Sequence, residues 1–361
     1  MSSMHDDWME ALRASVRTLK ELDDLLPLAE EEKNWSGEAG SLPLGISRYY
    51  LGLIDPLDPK DPIRRQVVPT CHESFVDAGE SGDPLAEVSH TAVPRLIHRY
   101  RNRAAFLVTD TCATYCRHCF RRRFTGTSGG KATVEEVSQA ARYVAVHPEI
   151  KELLFTGGDP LTLSDTQLEQ MIQAFRTTRP DLIIRLCTRT PATFPERITA
   201  GLIMMLKRHS SAPFYLLTQF NHPREITAES RAAVARFVDA GIPALNQTVL
   251  LRGVNDEVDT LESLMNALVA IRVKPYYLFQ GDLVRGTAHF RVPLAKGMAL
   301  EAELRQRLSG LAMPVYAVDL PDGGGKIPIG ERYCEGQDAQ GAWIFRTTGG
   351  QRRRYPDPDF S

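Results

Sequence analysis

Three cysteines fall within eight positions, Cys112, Cys116 and Cys119 in the run TDTCATYCRHCFRRRF. Structural zinc usually draws four ligands from two separated pairs, and no second Cys/His pair of that spacing is visible. Three thiolates spaced along one loop suit three corners of a four-iron four-sulfur cube, with the fourth iron left open for a ligand. Structural zinc is the competing reading. Arg117, Arg121, Arg122 and Arg123 crowd the same run. Cationic neighbours favour thiolate and offset a cluster's negative charge, although an arginine run by itself is ordinarily a solvated basic face.

Other residues carry weaker signals. Gly157-Gly158-Asp159, in LLFTGGDPL, reads as a strand-to-loop turn. GGGK at 323–326 puts glycines before a lysine, yet the phosphate-loop pattern GxxxxGK[ST] fails at Ile327, which leaves a flexible loop carrying Lys326. Asp282 in QGDL and Asp319 in VDLP would each, taken singly, be a helix or turn cap.

The elements that must position these residues are legible from periodicity. Short β-branched and apolar runs recur at 104–109, 152–156, 182–187, 214–218, 244–251, 274–280 and 314–320. Segments of helical period such as VEEVSQAARYVAVH, LEQMIQAFRT and LESLMNALVAIR lie between them. The repeat of roughly 30 residues is the length of one strand–helix step, so the alternation predicts a parallel sheet covered by helices. In such folds ligands sit beyond the carboxyl ends of the strands. The cysteines, Gly157–Asp159, Arg189, Gln219, Asn221, Asp282 and Lys326 all follow an apolar run. Residues 7–34 have helical spacing, and a Gly- and Pro-punctuated irregular segment follows, which together predict an N-terminal extension packed on the core.

Composition narrows the function classes. The 361 residues are 43% hydrophobic and 24% charged, ordinary globular values. With 43 basic and 45 acidic residues the net charge is −2, so nothing global draws the chain to nucleic acid or to an anionic membrane. No apolar stretch is long enough for a membrane span, and the polar start MSSMHDDWMEALRASV lacks the basic-then-apolar form of a signal peptide. A cytoplasmic protein with a small-molecule substrate is the expectation. Six cysteines are too sparse for a disulfide scaffold.

The motifs HRYRNRAAFLVTDTCATYCRHCFRRRF, LLFTGGDPL, RTPATFPERIT, FNHPREIT, NQTVLLRGVND, KPYYLFQ, HFRVPL and VDLPDGGGKIP, in that order, resemble the lysine 2,3-aminomutase family of the radical S-adenosylmethionine superfamily. The resemblance spans roughly residues 55–330. It implies a partial TIM-type (β/α)6 barrel at 96–312, preceded by a helical and irregular extension at 1–95 and followed by a C-terminal segment at 313–361 that carries the cofactor lysine.

The same resemblance implies a [4Fe–4S] cluster on Cys112, Cys116 and Cys119, whose open iron chelates S-adenosylmethionine. Gly157, Gly158, Asp159 and Gln247 are implied neighbours of that cofactor. Gln219 stands where the family has histidine, in TQFNHP, so its part is weaker. Lys326 is implied as the residue joined to pyridoxal 5′-phosphate, with Tyr100 and Arg103 holding that cofactor. Arg121 is implied to grip the substrate carboxylate. Asp282 and Asp319 are implied to bind a cationic side chain, because two converging carboxylates repel unless a cation lies between them.

The activity so implied is the shift of the α-amino group of L-lysine to C3, giving β-lysine. The same shift on arginine or another amino acid, or on a lysyl residue of a protein partner, is the alternative within the class, and a non-catalytic metal-binding module is the alternative outside it. A one-electron reductant such as flavodoxin or ferredoxin is implied as a partner, and assembly into a homo-oligomer is left open. A family zinc site is expected to be missing, since Glu257 follows VND and only Cys334 lies near the C-terminus. Cys71, Cys187 and Cys334 are expected to be ordinary thiols.

Overall fold

The computed structural model describes residues 7–355 apart from 38–40, 78, 128, 331–332, 341 and 348; the first six residues and the last six, parts of the expected terminal segments, lie outside it. Ten strands form one sheet in sequence order: β1 (Thr91–Val93), β2 (Leu96–Tyr100), β3 (Arg103–Thr109), β4 (Glu152–Gly157), β5 (Ile183–Cys187), β6 (Phe214–Thr218), β7 (Ala244–Leu250), β8 (Val273–Gln280), β9 (Val315–Leu320) and β10 (Gly325–Pro328). From β3 to β9 every pairing is parallel, and antiparallel strands stand at both ends.

Each expected apolar run is one of these parallel strands. Helices Val134–Val146, Asp165–Thr178, Ala200–Arg208, Ala228–Asp239, Val258–Ala270 and Leu294–Arg307 fill the six crossovers, so the architecture is a partial (β/α)6 barrel with β9 added as a seventh parallel strand. Three of these helices start at capping boxes, Thr133 with Glu136, Ser164 with Gln167 and Thr227 with Ser230, which satisfy the first free backbone N–H groups and fix where the preceding loops end. Burial is nearly complete where strands meet helices. Phe106, Phe155 and Phe175 pack edge to face with centroids 5.3–6.1 Å apart, locking β3 and β4 to helix Asp165–Thr178.

The sheet does not close by hydrogen bonds; its order runs from β1 to β10 with no pairing between the two. Side chains span the seam instead. Arg99 of β2 donates to Asp319 of β9 at 2.7 Å, and the Lys326 backbone N–H of β10 donates to the Tyr100 hydroxyl at 3.1 Å.

The expected helical stretch at 7–34 is broken into short helices Asp7–Arg13, Leu19–Asp23 and Glu30–Lys33. Thr18 restarts the chain with its own capping box, and Pro27 lies before the third piece, where a helix running through it would lose a backbone hydrogen bond. The extension builds a separate small core around Val16, Leu22, Ile46, Tyr50, Ile63 and Val67. A buried Arg64–Glu32 pair at 2.6 Å, with Arg64 also donating to Pro27 O, stiffens it. At the C-terminus β11 (Cys334–Gln337), β12 (Trp343–Arg346) and β13 (Arg352–Tyr355) form a second, antiparallel sheet.

Candidate active site

The loop after β3 carries the three cysteines, and its path is set by the end of β4. The Gly158 N–H donates to Thr109 O at 2.6 Å and the Asp159 N–H to Thr111 O at 2.8 Å. A Cβ on Gly158 would lie 2.4 Å from Thr111 O, and one on Gly157 would lie 2.5 Å from Thr109 O. Gly157 also has a φ of +119°, which side-chain-bearing residues rarely adopt. The Gly-Gly pair is therefore required by the contact between strand end and cysteine loop, beyond any ligand it meets.

Asp159 is buried with its carboxylate turned to protein. It accepts from the Thr188 hydroxyl at 2.7 Å and from the backbone N–H groups of Arg189 and Leu161 at 2.8 and 3.0 Å. Burial pushes its pKa up and these bonds pull it back down. The residue expected beside a cofactor thus ties the end of β4 to the end of β5. The loop after β6 is clamped from β7, where buried Asn246 accepts from Phe220 N at 2.7 Å and donates to Phe220 O at 3.0 Å. That clamp sets Gln219 and Asn221, whose side-chain nitrogens lie 3.2 and 3.3 Å from His118 Nε2. Burial holds His118 neutral, its pKa far below the ordinary value, and its buried Nδ1 has no protein partner.

All the residues expected at the site line one cavity of about 410 Å3: the three cysteines, Tyr100, Arg103, Arg121, Gly157, Gly158, Asp159, Gln247, Asp282, Asp319 and Lys326. Gln219 and His118 line it too. The three sulfurs do not converge on the point a single ion would occupy, and among the described residues no three His, Cys, Asp or Glu side chains do so. A cube with its irons at separate corners takes ligands that stand apart. Burial pushes the Cys112 and Cys119 thiols up, so a bound metal's charge is what would make them thiolates.

Lys326 and Asp319 are direct cross-strand partners on β10 and β9, with Nζ 2.7 Å from Oδ2. The ammonium also sits 3.7 Å from the Phe279 ring centroid and 5.0 Å from that of Tyr277. Burial lowers its pKa although Asp319 opposes the shift, which favours the neutral amine that an aldehyde requires. Arg103 stacks on Tyr100, 3.8 Å from the ring centroid, and has no carboxylate partner among the described residues, so its charge is available to a phosphate. These residues fit a pyridine aldehyde bearing a phosphate.

Asp282 is sequestered in the cavity, and burial, with Asp319 nearby, raises its carboxyl to about 7. Arg121 is held by Glu87, Nη2 to Oε1 at 2.9 Å, and donates to the Thr156 hydroxyl at 2.7 Å. Glu87, Arg99 and Arg185, the last paired with Glu152, line the cavity and carried no sequence signal of their own. Cys187, expected to be an ordinary thiol, also lines it, pushed up to about 12 by burial. Away from the site, Glu257 pairs with Lys296 at 3.0 Å, and Cys334 is exposed on β11.

Comparison with known proteins agrees with this arrangement. The Radical SAM superfamily matches residues 106–264 and Lysine-2,3-aminomutase matches residues 301–361. The L-lysine 2,3-aminomutase of Clostridium subterminale is 43% identical over 98% of this chain and 84% of its own length. That of Bacillus subtilis (strain 168) is 41% identical over 98% of this chain and 75% of its own. The glutamate 2,3-aminomutase of Clostridioides difficile (strain 630) is 38% identical over 92% and 79%. Identity at this level along nearly the whole chain, with every expected residue gathered on one cavity, makes it a member of the lysine 2,3-aminomutase family of the radical SAM superfamily.

Proposed function

We propose that the chain is a 2,3-aminomutase that moves the α-amino group of L-lysine to C3 and so forms L-β-lysine. The observation that carries this reading is the meeting, in one cavity, of the cysteine loop, a half-buried lysine and two carboxylates, Asp282 and Asp319. The family brings a [4Fe–4S] cluster, S-adenosylmethionine and pyridoxal 5′-phosphate. When bound, these groups supply a carbon radical able to take an unactivated hydrogen and a π bond across which nitrogen can migrate.

The chain's own residues bind and orient. Cys112, Cys116 and Cys119 hold the cluster, and Gly157, Gly158 and Gln247 border the adenosyl cofactor. Lys326 holds the aldehyde cofactor covalently, and Asp319 Oδ2, 2.7 Å from Nζ, orients that amine toward the cavity. Tyr100 and Arg103 seat the ring and the phosphate. Arg121, its guanidinium oriented by Glu87 and Thr156, takes the substrate carboxylate. Asp282 and Asp319 take the side-chain ammonium. Near neutral pH the raised Asp282 is partly protonated, and a cation beside it would draw the proton off.

The two carboxylates favour lysine over glutamate, whose side-chain anion would face them. Arginine also satisfies them and is the second reading. The electron comes from a one-electron donor such as flavodoxin or ferredoxin, and the compartment is the cytoplasm, a reading supported by six free cysteines and, among the described residues, by no helix long and apolar enough to cross a membrane.

The test is anaerobic reconstitution with iron and sulfide, followed by incubation with S-adenosylmethionine, pyridoxal phosphate, dithionite and L-lysine, L-arginine or L-glutamate. β-Lysine as the preferred product is expected. Faster turnover of arginine or glutamate would replace the substrate assignment.

A further inference from the structure

Beneath the cysteine loop lies a polar network that the proposed reaction does not use. Arg189, just past β5, is 7% exposed. Its Nη1 donates to Cys116 Sγ at 2.7 Å. Its Nη2 donates to Glu225 Oε1 at 2.6 Å, to the Tyr50 hydroxyl at 3.1 Å and to Gln66 Oε1. Glu225 has no exposed surface, and it also accepts from the Tyr50 hydroxyl at 2.6 Å and from the His222 N–H at 2.9 Å. Tyr50 and Gln66 are likewise fully enclosed, and both come from the N-terminal extension.

We propose that Arg189 is a positioning residue that sets the reduction potential of the cluster held by Cys116, with Glu225 balancing its charge and Tyr50 and Gln66 fixing the direction of its fork. The inference rests on the cluster assignment made above. An external one-electron donor transfers one electron to the cluster, which becomes one unit more negative; no bond to the protein is made or broken. An N–H donor and a positive charge at a ligand sulfur stabilise that reduced state more than the oxidised one, and they do so strongly where water is excluded. A carboxylate behind the guanidinium works against this effect. Removing Arg189 and removing the charge of Glu225 must therefore move the potential in opposite directions. A network that merely fastened the extension to the barrel would give no such pair of signs.

The experiment is a redox titration of the reconstituted full chain, followed by the paramagnetic resonance signal of the reduced cluster, for the parent, R189Q, R189K, E225Q and Y50F. R189Q is expected to shift the potential negative, with the reduction equilibrium falling about tenfold, which is about 59 mV for one electron. E225Q is expected to shift it positive. R189K, which keeps the charge and loses the fork, should fall between the parent and R189Q, and Y50F should change least. If R189Q takes up no iron, the opposite signs of R189K and E225Q carry the test. Variants loaded like the parent whose potentials do not move, or move in one direction only, overturn the inference and leave the cluster assignment standing. A parent chain that takes up no cluster overturns both.

Discussion

The two ends of the cavity are built on different principles. At the cysteine end, backbone meets backbone with no room for a Cβ, and the polar groups behind it, Asp159, Arg189, Glu225 and Asn246, are buried and bonded within the protein. At the lysine end, an edge hairpin and the seam of an unclosed sheet carry the site, and ion pairs hold it: Lys326 and Arg99 share Asp319, and among the described residues no side chain pairs with the neighbouring Asp282. A densely bonded buried network is stiff, because displacing it strands polar groups. The ion pairs at the lysine end are also largely enclosed, with side chains 10–19% exposed, but two cations share one carboxylate there. The cluster end is built from bonds within the protein, and the lysine end is built from charges that face the cavity.

The largest expected effect breaks one end without touching the other. Replacing Cys112, Cys116 and Cys119 together with Ala should abolish iron uptake and the brown colour of the reconstituted protein, while visible absorbance from pyridoxal phosphate persists. Lys326→Ala should do the reverse, losing that absorbance and keeping iron. Measured iron per chain and the visible spectrum decide both; a loss of both signals in either variant would show that the ends are one cooperative unit.

Next in size is the substrate pocket. Asp282→Asn and Asp319→Asn each remove a charge-assisted contact of about 1.5–3 kcal/mol, or roughly one to two powers of ten in kcat/KM for L-lysine. Reductive cleavage of S-adenosylmethionine without substrate, which depends on the other end, should change far less. Equal loss in the two assays would contradict the division of labour.

The stiffness of the cluster end can be measured directly. Gly158→Ala forces a Cβ against Thr111 O and the Asp110 carbonyl carbon, and overpacking of this kind costs about 1–3 kcal/mol. Urea denaturation of the cofactor-free chain should register that loss. An alanine at Gly330, whose added Cβ would come no nearer than 3.5 Å to the Glu301 carboxylate, should cost much less.

The smallest effect concerns protons. Asp282 has a folded pKa of about 7, well above the ordinary carboxylate value, so the folded chain binds this proton more tightly than the unfolded one. Its contribution to stability is therefore present at low pH and lost as pH rises to 7. Between pH 5 and pH 8 the cofactor-free protein should lose about 1–3 kcal/mol from this group, and Asp282→Asn should flatten that part of the profile. An unchanged slope in the variant would mean that a group other than Asp282 carries the titration.

What could be read directly from the chain was what is local or periodic. The spacing of Cys112, Cys116 and Cys119 is a property of one loop, and the apolar runs announce strands because each packs against helices on its own terms. Placing chemistry after each run followed from the shared direction of parallel strands, whose ligands sit beyond the carboxyl ends, and the observed cavity lies there. The helical reading of residues 7–34 was too coarse, since period alone does not register where Thr18 and Pro27 restart the chain.

Pairings between distant positions were decided only by the tertiary structure. Glu87 orients Arg121, Arg99 reaches Asp319 across the seam, and Tyr50 and Gln66 support Arg189 over sequence separations of 139 and 123 residues. Nothing in the neighbourhood of Tyr50 or Glu87 marks them as part of a site. Even Asp159, singled out by its motif, proved to be committed to Thr188 and Arg189. A charged side chain taken out of water must find its counterpart wherever the fold delivers one, and that address depends on how sheet and extension close around the cavity, a property of three-dimensional packing that no run of neighbouring residues encodes.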